Sequence, residues 1–464
     1  MMLLLPELAM LTFSVFFLFR SLVDRKETAF FWARVWALAA LILSLAGVSA
    51  EGKLFYGAYQ VDLFSQIFKV LLSAGFCLVI FMFGSQEEIE GAYLPEFFMF
   101  LSFSTLGLMM MASAVELISI VISLEVSSFS LYAIVPLRRS QTRQQLEASV
   151  KYLFFGAVST GIMLYGMGYL YGVAGSTFLA DILPVFPDFV FQPVGILALT
   201  LTMIGFFFKL SLFPMHFWAP DIYEGSANST TTFIATVPKI AAVALLIRIT
   251  MLAPAPPPQL VAILISLAAL SMTAGNLAGL VQKDVKRLLA YSGIAHAGYM
   301  ILGIISLNSG GGAASIYYIA IYLFMNLGAF YVVILLSKGG DNVMVDDLSG
   351  LSKRSPLLAL TLALSAFSLA GIPPTGGFTG KLFLFVSAFK EGYLGIVIIG
   401  AVNTVISIFY YLNLVRISYS MDAGARPPVT LLFHEKALCC ALIVMILYMG
   451  LLPFGLMDLF GRAF

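Results

Sequence analysis

Charge is what this sequence has least of. Asp, Glu, Lys and Arg make up 11% of its 464 residues, against about a quarter in an ordinary soluble domain. A chain of this length and composition would expose large apolar patches in water. A soluble enzyme or nucleic-acid-binding domain is therefore excluded. Cysteine is nearly absent as well. Cys77, Cys439 and Cys440 all lie in apolar stretches, and no Cys-x-x-Cys or Cys/His spacing offers a zinc, haem or iron–sulfur site. They read as packing residues. No Gly-rich phosphate loop follows a strand, no polar stretch is long enough for a nucleotide domain, and Gly310, Gly311 and Gly312 sit in a short loop. No cofactor is expected on this chain, so any electron-transfer group belongs to partners.

What is present is apolar sequence: 61% of residues are hydrophobic and the mean hydropathy is +0.99. About twenty apolar residues span the hydrocarbon core as a helix, and only a helix or a closed barrel satisfies its own backbone there. Long apolar runs rather than alternating strands point to an all-α polytopic membrane protein. Fourteen segments qualify, at roughly 2 to 20, 30 to 50, 61 to 83, 93 to 112, 115 to 136, 147 to 174, 194 to 213, 229 to 250, 258 to 281, 284 to 307, 311 to 337, 356 to 389, 393 to 419 and 435 to 457, with ends uncertain by about 2 to 4 residues. The first has no basic leader and no small-residue cleavage pattern, so it is expected to be retained, with the mature chain starting near Met1.

The net charge of +1 conceals an asymmetry. Seventeen basic residues fall in alternate loops: Arg20, Arg25, Lys26 and Arg34; Arg138, Arg139, Arg143 and Lys151; Lys283, Lys286 and Arg287; Lys338, Lys353 and Arg354; Arg416, Arg426 and Lys436. The opposite side takes Lys53, Arg248, Lys390 and Arg462. By the positive-inside rule both termini face outward, as an even number of helices requires.

Two segments are interrupted. The seventh contains Lys209, Pro214 and His216, and the twelfth contains Gly371, Pro373, Pro374, Gly376, Gly377, Gly380 and Lys381. Proline removes a donor and glycine permits non-helical dihedrals, so backbone groups are expected to be freed there, and a polar cavity beside each break would satisfy them. Segments 4 to 8 and 9 to 13 form two runs of five. An odd count inverts the second relative to the first, and each break falls in the fourth member. This is the pattern of an inverted repeat with discontinuous helices. The expected units are 1–92, 93–250, 258–419 and 420–464. Because Pro214 follows its lysine whereas Pro373 and Pro374 precede theirs, the symmetry is expected to be architectural and not to reach residue detail.

The remaining four lysines, Lys69, Lys209, Lys239 and Lys381, lie inside apolar segments with Glu125. A charge at the bilayer centre costs roughly 2.5 to 3.5 kcal/mol on insertion scales, so a chain that keeps several is expected to use them. Glu125 lies about 13 Å from the outer end of its helix and Lys239 about 15 Å from the inner end of its own. Lys69 is near an outer boundary, where snorkelling would suffice. Burial and neighbouring charge together decide whether such groups carry a proton. The expected relay pairs Glu125 with Lys209, uses Lys239 as the centre and Lys381 as the outward donor, with His216, Tyr291 and His296 helping waters to bridge gaps. The competing reading is a structural ion pair, which explains Glu125 and Lys209 but leaves Lys239 and Lys381 without partners. Glu7, Glu96 and Glu116 fall at helix ends where carboxylates reach water, and Glu116 is placed to meet a neighbouring subunit.

Three runs carry a resemblance: Lys209-Leu-Ser-Leu-Phe-Pro-Met-His216-Phe-Trp-Ala-Pro-Asp221-Ile-Tyr-Glu-Gly225, Thr231-Thr-Phe-Ile-Ala-Thr-Val-Pro-Lys239, and Asp284-Val-Lys-Arg-Leu-Leu-Ala-Tyr291-Ser-Gly-Ile-Ala-His296-Ala-Gly-Tyr299. The chain resembles, over essentially its whole length, the antiporter-like membrane subunits of respiratory complex I. The run from Leu164 to Ser176 and the lysine after Ala-Thr-Val-Pro point to the subunit N (subunit 2) type. The loop Gly225-Ser-Ala-Asn-Ser-Thr230 departs from the family by lacking its proline. The resemblance implies a proton-pumping membrane-arm subunit of an NADH-quinone oxidoreductase, with Glu125, Lys209, Lys239 and Lys381 at the relay positions. It also implies L-type, M-type and small K and J subunits as partners, quinone, flavin and iron–sulfur clusters on other chains, and residence in a bacterial inner membrane. A subunit of a multisubunit cation/proton antiporter and a non-conducting scaffold remain alternatives.

Overall fold

The computed structural model describes residues 2–23, 28–83, 88–139, 143–251, 256–337, 339–420, 422–424 and 426–464. Arg25, Lys26 and Lys338, counted among the inner-loop cations, lie outside the described residues. Twelve helices among those described are long and apolar enough to cross a membrane. Val285–Ile304 has the length but is more polar, and the interrupted pair Pro356–Ala370 and Gly376–Lys390 supplies the last crossing. With these two the expected fourteen segments are present.

In chain order the segments are Leu5–Leu22, Ala29–Ala46, Leu63–Met82, Leu94–Ser113, Leu117–Ile134, Arg143–Ala174, Pro193–Leu210 with Trp218–Gly225, Asn228–Thr250, Pro258–Gly279, Val285–Ile304, Gly311–Leu336, the pair just named, Leu394–Ser420 and Phe433–Leu451. Their starts are written locally. Proline occupies the first turn at Pro95, Pro193, Pro258 and Pro356, where no N–H is missed. Asp62 accepts from Ser65 N at 2.8 Å, and Asp284 accepts from Arg287 N at 2.9 Å. Two elements were not anticipated: a helix Leu179–Val190 after the sixth segment, and a two-stranded ribbon pairing Gly52–Leu54 with Tyr59–Val61.

The two repeats share backbone detail as well as architecture, while their ionisable residues differ as expected. A Cβ at Gly107 would stand 2.7 Å from Ser123 O and Ser127 N; a Cβ at Gly275 would stand 2.7 Å from Tyr291 O and Ala295 N. One spacing relates Gly107 to Gly275, Ser123 to Tyr291 and Ser127 to Ala295, so segments 4 and 5 cross as segments 9 and 10 do. Glycine is required at both crossings because backbone meets backbone. The two breaks also match. Each first half ends in a left-handed residue, Ser211 at φ 62° and Gly371 at φ 86°, followed by a cis bond at Phe213–Pro214 or Pro373–Pro374. Only the lysines differ in placement: Lys209 lies before its break, Lys381 after.

A buried ion pair joins the first helix to the third within the N-terminal unit. Lys69 does not snorkel: it is fully buried, with Nζ 2.8 Å from Glu7 Oε1. Tyr59 donates to the same oxygen at 2.6 Å, and its ring lies 5.2 Å from the ammonium. Glu7, expected at the water boundary, is 5% exposed. Glu116 likewise turns inward. It caps its own helix by accepting from Ser119 N at 2.6 Å. Burial alone would raise its pKa, but hydrogen bonds from Thr177 and Ser119 outweigh this and hold it below the usual range.

Removing one partner of a buried pair strands a charge, so Lys69→Met should destabilise by about 3 to 5 kcal/mol, and Glu7→Leu with Lys69→Met should recover most of that. Thermal unfolding of the solubilised protein checks this, and equal loss in the single and double variants would refute it. Gly275→Val should cost about 1 to 3 kcal/mol by overpacking. In the same assay Gly161→Val should be near neutral, because nothing lies within 4 Å of a Cβ there.

Candidate functional site

The eighth segment is the axis of the molecule, with 94% of its apolar window buried. Lys239 sits in it directly after Pro238 and is wholly enclosed. Its ammonium donates to Gly293 O at 3.3 Å and lies 5.5 Å from the Tyr322 ring centroid. A Cβ at residue 293 would come within 2.9 Å of Nζ, so glycine is what admits the amine. Under the repeat spacing Gly293 is the counterpart of Glu125. Where the first repeat carries a carboxylate, the second presents a bare carbonyl.

His296 lies one turn beyond Gly293. Its Nδ1 is 2.6 Å from Tyr318 Oη and its Nε2 is 3.2 Å from Tyr411 Oη. Tyr411 also hydrogen-bonds Ser292 Oγ. The imidazole interacts electrostatically with both Lys239 and Lys381, and its ring lies 5.5 Å from Tyr322 and 6.0 Å from Tyr299, the rings that the two amines face. With both ring nitrogens bonded to hydroxyls, it can take a proton on one side and release one on the other. The composition alone did not expose these tyrosines, although Tyr318, Tyr322 and Tyr411 inside apolar helices were the available signal.

Lys381 reaches back across the twelfth-segment break. Its Nζ donates to Leu369 O at 3.0 Å and Ala370 O at 3.1 Å, the last carbonyls of Pro356–Ala370. A cation there meets the negative end of the helix dipole. The expected polar cavity is thus replaced by the lysine itself, and Tyr299 lies 4.7 Å below the ammonium. At the seventh-segment break the Trp218 indole donates at 2.9 Å to Phe208 O, which also accepts from Ser211 N at 3.0 Å.

Lys209 is 2% exposed, and its Nζ has no hydrogen-bond partner among the described residues. Glu125 interacts with it electrostatically, but the carboxylate is turned to Thr160, which donates to Oε1 at 2.6 Å. The expected direct pair is therefore an open one. Thr160 holds the acid while the amine stays free.

His216 and Tyr291 do not join His296. They line a separate cleft of about 560 Å³ on the side of the basic loops, with Lys151, Asp221 and Arg287. His216 stacks between Phe213 and Phe217, at centroid distances of 5.3 and 4.2 Å, and its Nδ1 is unpartnered. Tyr291 lies 5.9 Å from the Arg287 guanidinium. Around them Asp221 pairs with Lys151 at 2.6 Å and Arg287 at 2.8 Å, and Arg287 also pairs with Glu224 at 2.8 Å.

Three inner-side residues were underestimated. Lys286, counted as a loop cation, is buried and donates to Ser226 O at 2.8 Å. Glu88 accepts from Asn228 Nδ2 and Ser229 N, both at 3.1 Å, and so caps the eighth segment from a distant loop. Arg138 donates to Glu224 O at 3.1 Å and Gly340 O at 2.9 Å, tying three loops together. Their sequence neighbourhoods look like ordinary charged turns, so only the tertiary arrangement reveals them.

Comparison with known proteins agrees with this architecture. Residues 114–407 match the family described as NADH:quinone oxidoreductase/Mrp antiporter, transmembrane. The NADH-quinone oxidoreductase subunit N 2 of Solidesulfovibrio magneticus is 43% identical, covering 99% of this chain and 98% of that protein. A chain of respiratory complex I from Thermus thermophilus superimposes with TM-score 0.86 at 32% identity, over 98% of both chains. A chain of the Mrp complex from Dietzia sp. shares the fold alone, with TM-score 0.86 at 19% identity, covering 100% of this chain and 96% of that one. With a relative this similar along its whole length and a family match across both repeats, the chain belongs to the NADH:quinone oxidoreductase/Mrp antiporter transmembrane family, in the branch of subunit N.

Proposed function

We propose that this chain is a proton-translocating membrane-arm subunit of a respiratory oxidoreductase that passes electrons from NADH or another donor to quinone. Protons move along a midplane row of Glu125, Lys209, Lys239, His296 and Lys381 joined by water, driven by quinone reduction elsewhere in the complex. One observation carries the reading. Lys239 and Lys381 are buried with carbonyl oxygens as partners and no carboxylate ion pair among the described residues, and both act on the same imidazole. A buried charge held only by neutral dipoles is poorly compensated. Its protonation therefore depends on what its neighbours carry. Protonating Lys239 disfavours a second charge at His296 or Lys381 until a proton leaves outward, which is the coupling a relay needs. His216 and Tyr291, in the inner cleft, would serve uptake and not the central transfer.

On this reading the partners are antiporter-like subunits of the L and M types and small subunits such as K and J. Quinone, flavin and iron–sulfur clusters reside on other chains. The chain lies in the bacterial inner membrane with both termini outside. A second reading, a subunit of a multisubunit cation/proton antiporter, draws on the shared fold with the Mrp complex. Co-purification separates the two: partners that hold iron–sulfur clusters and reduce quinone favour the first, and a small assembly without them favours the second.

Replacing Lys239 with Met should leave partner subunits co-purifying in normal amounts while acidification of inverted vesicles on donor addition falls at least tenfold. Unchanged pumping would leave only a scaffold role for the buried amines.

A further inference from the structure

Tyr411 contacts His296 on one side, and its neighbour Tyr410 faces a different compartment. Tyr410 forms part of a groove of about 790 Å³ among the ninth, tenth, twelfth and thirteenth segments. The polar part of its lining is Gln282, Asn413, Arg416, Tyr419 and Ser420, the last ending the thirteenth segment on the inner side. Tyr410 lies ten residues up that helix from Ser420, roughly 15 Å deep. Its hydroxyl donates to Asn276 Oδ1 at 3.0 Å. Asn276 is fixed in turn, donating to Asn403 O at 3.0 Å and Asn403 Oδ1 at 3.1 Å. The rings of Tyr410 and Tyr411 lie 4.3 Å apart, and their hydroxyls interact electrostatically. Polar groups thus run from the inner surface to the histidine without passing through Glu125 or Lys209.

We propose that this groove, with Tyr410 and Tyr411, is a second proton-uptake branch that loads His296 from the inner side; it rests on the proton-conducting reading above. A hydrated proton in the groove protonates Tyr410 Oη as the phenolic proton moves through water to Tyr411 Oη. Tyr411 releases its own proton to His296 Nε2. Each phenol gains one proton and gives up one, so both end neutral, and the net step moves one proton from groove water to imidazole. Asn276 is a positioning residue: its Oδ1, held by Asn403, is the acceptor that fixes the Tyr410 hydroxyl until the proton moves on. The branch also accounts for the polar row of buried Asn276 and Asn403 with half-buried Thr273, which the Glu125 to Lys381 row does not use. Asn403 Nδ2 donates to Thr273 Oγ1 at 3.2 Å, and each member has a partner within the row.

The test uses the intact complex in membrane vesicles. Tyr410→Phe and Tyr411→Phe keep the ring packing and remove the hydroxyls. Each should lower the protons moved per electron pair severalfold, with assembly and uncoupled electron transfer unchanged. Access is read separately. Asn413→Cys should react with a charged, membrane-impermeant thiol reagent in inverted vesicles only, scored on its own peptide because Cys440 is also exposed. Parental pumping in both tyrosine variants, or modification of Asn413→Cys from the outer side or from neither, overturns the branch. Lys239→Met run in parallel tells the two failures apart. If it pumps normally, the relay reading falls and the branch with it; if it is dead while the tyrosine variants pump, only the branch falls.

Discussion

An amine kept inside a membrane has to be answered by oxygen, and the buried lysines of this chain are answered in different ways. Lys69 has the carboxylate of Glu7 at 2.8 Å. Lys286 has Ser226 O, Lys239 has Gly293 O, and Lys381 has the last two carbonyls of a half-helix. Lys209 has no hydrogen-bond partner among the described residues, only a carboxylate at a distance. These are energetically distinct situations. A lysine against a full countercharge is locked as an ion pair, and losing its proton would strand the acid. A lysine against neutral dipoles is only partly compensated, so gain and loss of a proton lie closer in free energy. The first kind holds helices together and the second kind can switch.

The two broken helices show how one backbone device serves two ends. Both halt at a left-handed residue and resume after a cis proline, and both leave carbonyls that helical bonding no longer uses. In the seventh segment a tryptophan indole joins Ser211 N on Phe208 O, and Lys209, before the break, keeps Glu125 as its electrostatic neighbour. In the twelfth the lysine itself takes the carbonyls, so Lys381 sits at the negative end of a helix dipole. The same break therefore produces an amine that senses a carboxylate in one repeat and an amine stabilised by backbone in the other. The substitution of Glu125 by Gly293 at equivalent positions completes the asymmetry.

Much of this was legible in the linear order of residues, because a bilayer enforces simple rules. Segment lengths, the prolines and glycines at the breaks, and lysines isolated in apolar runs are all local signals. What escaped depends on contacts between residues far apart in sequence. Lys69 looks like a snorkelling residue until Glu7, from the first helix, is found beside it. Glu125 and Lys209 look like a pair until Thr160 turns the carboxylate aside. Tyr291 and His296 share one helix, yet one faces the inner cleft and the other the central row. Five residues on a helix amount to nearly one and a half turns, enough to send them to different compartments.

The arrangement also limits how such a relay can switch. The eighth segment is almost wholly enclosed, its first turn is capped by Glu88 from a separate loop, and Arg138 binds that loop region to two others through backbone carbonyls. Lys239 thus rides on a helix with little freedom to shift. The groups open to the proposed relay are side chains: the Lys209 ammonium, which has no hydrogen-bond partner among the described residues, the Glu125 carboxylate on its threonine, and the imidazole held between two hydroxyls. Each can be altered by rotating a side chain or moving a water, without repacking a helix. A rigid frame around a few adjustable side chains is what rapid proton transfer requires, because a frame that moved with each proton would be limited by helix motion on microsecond to millisecond scales.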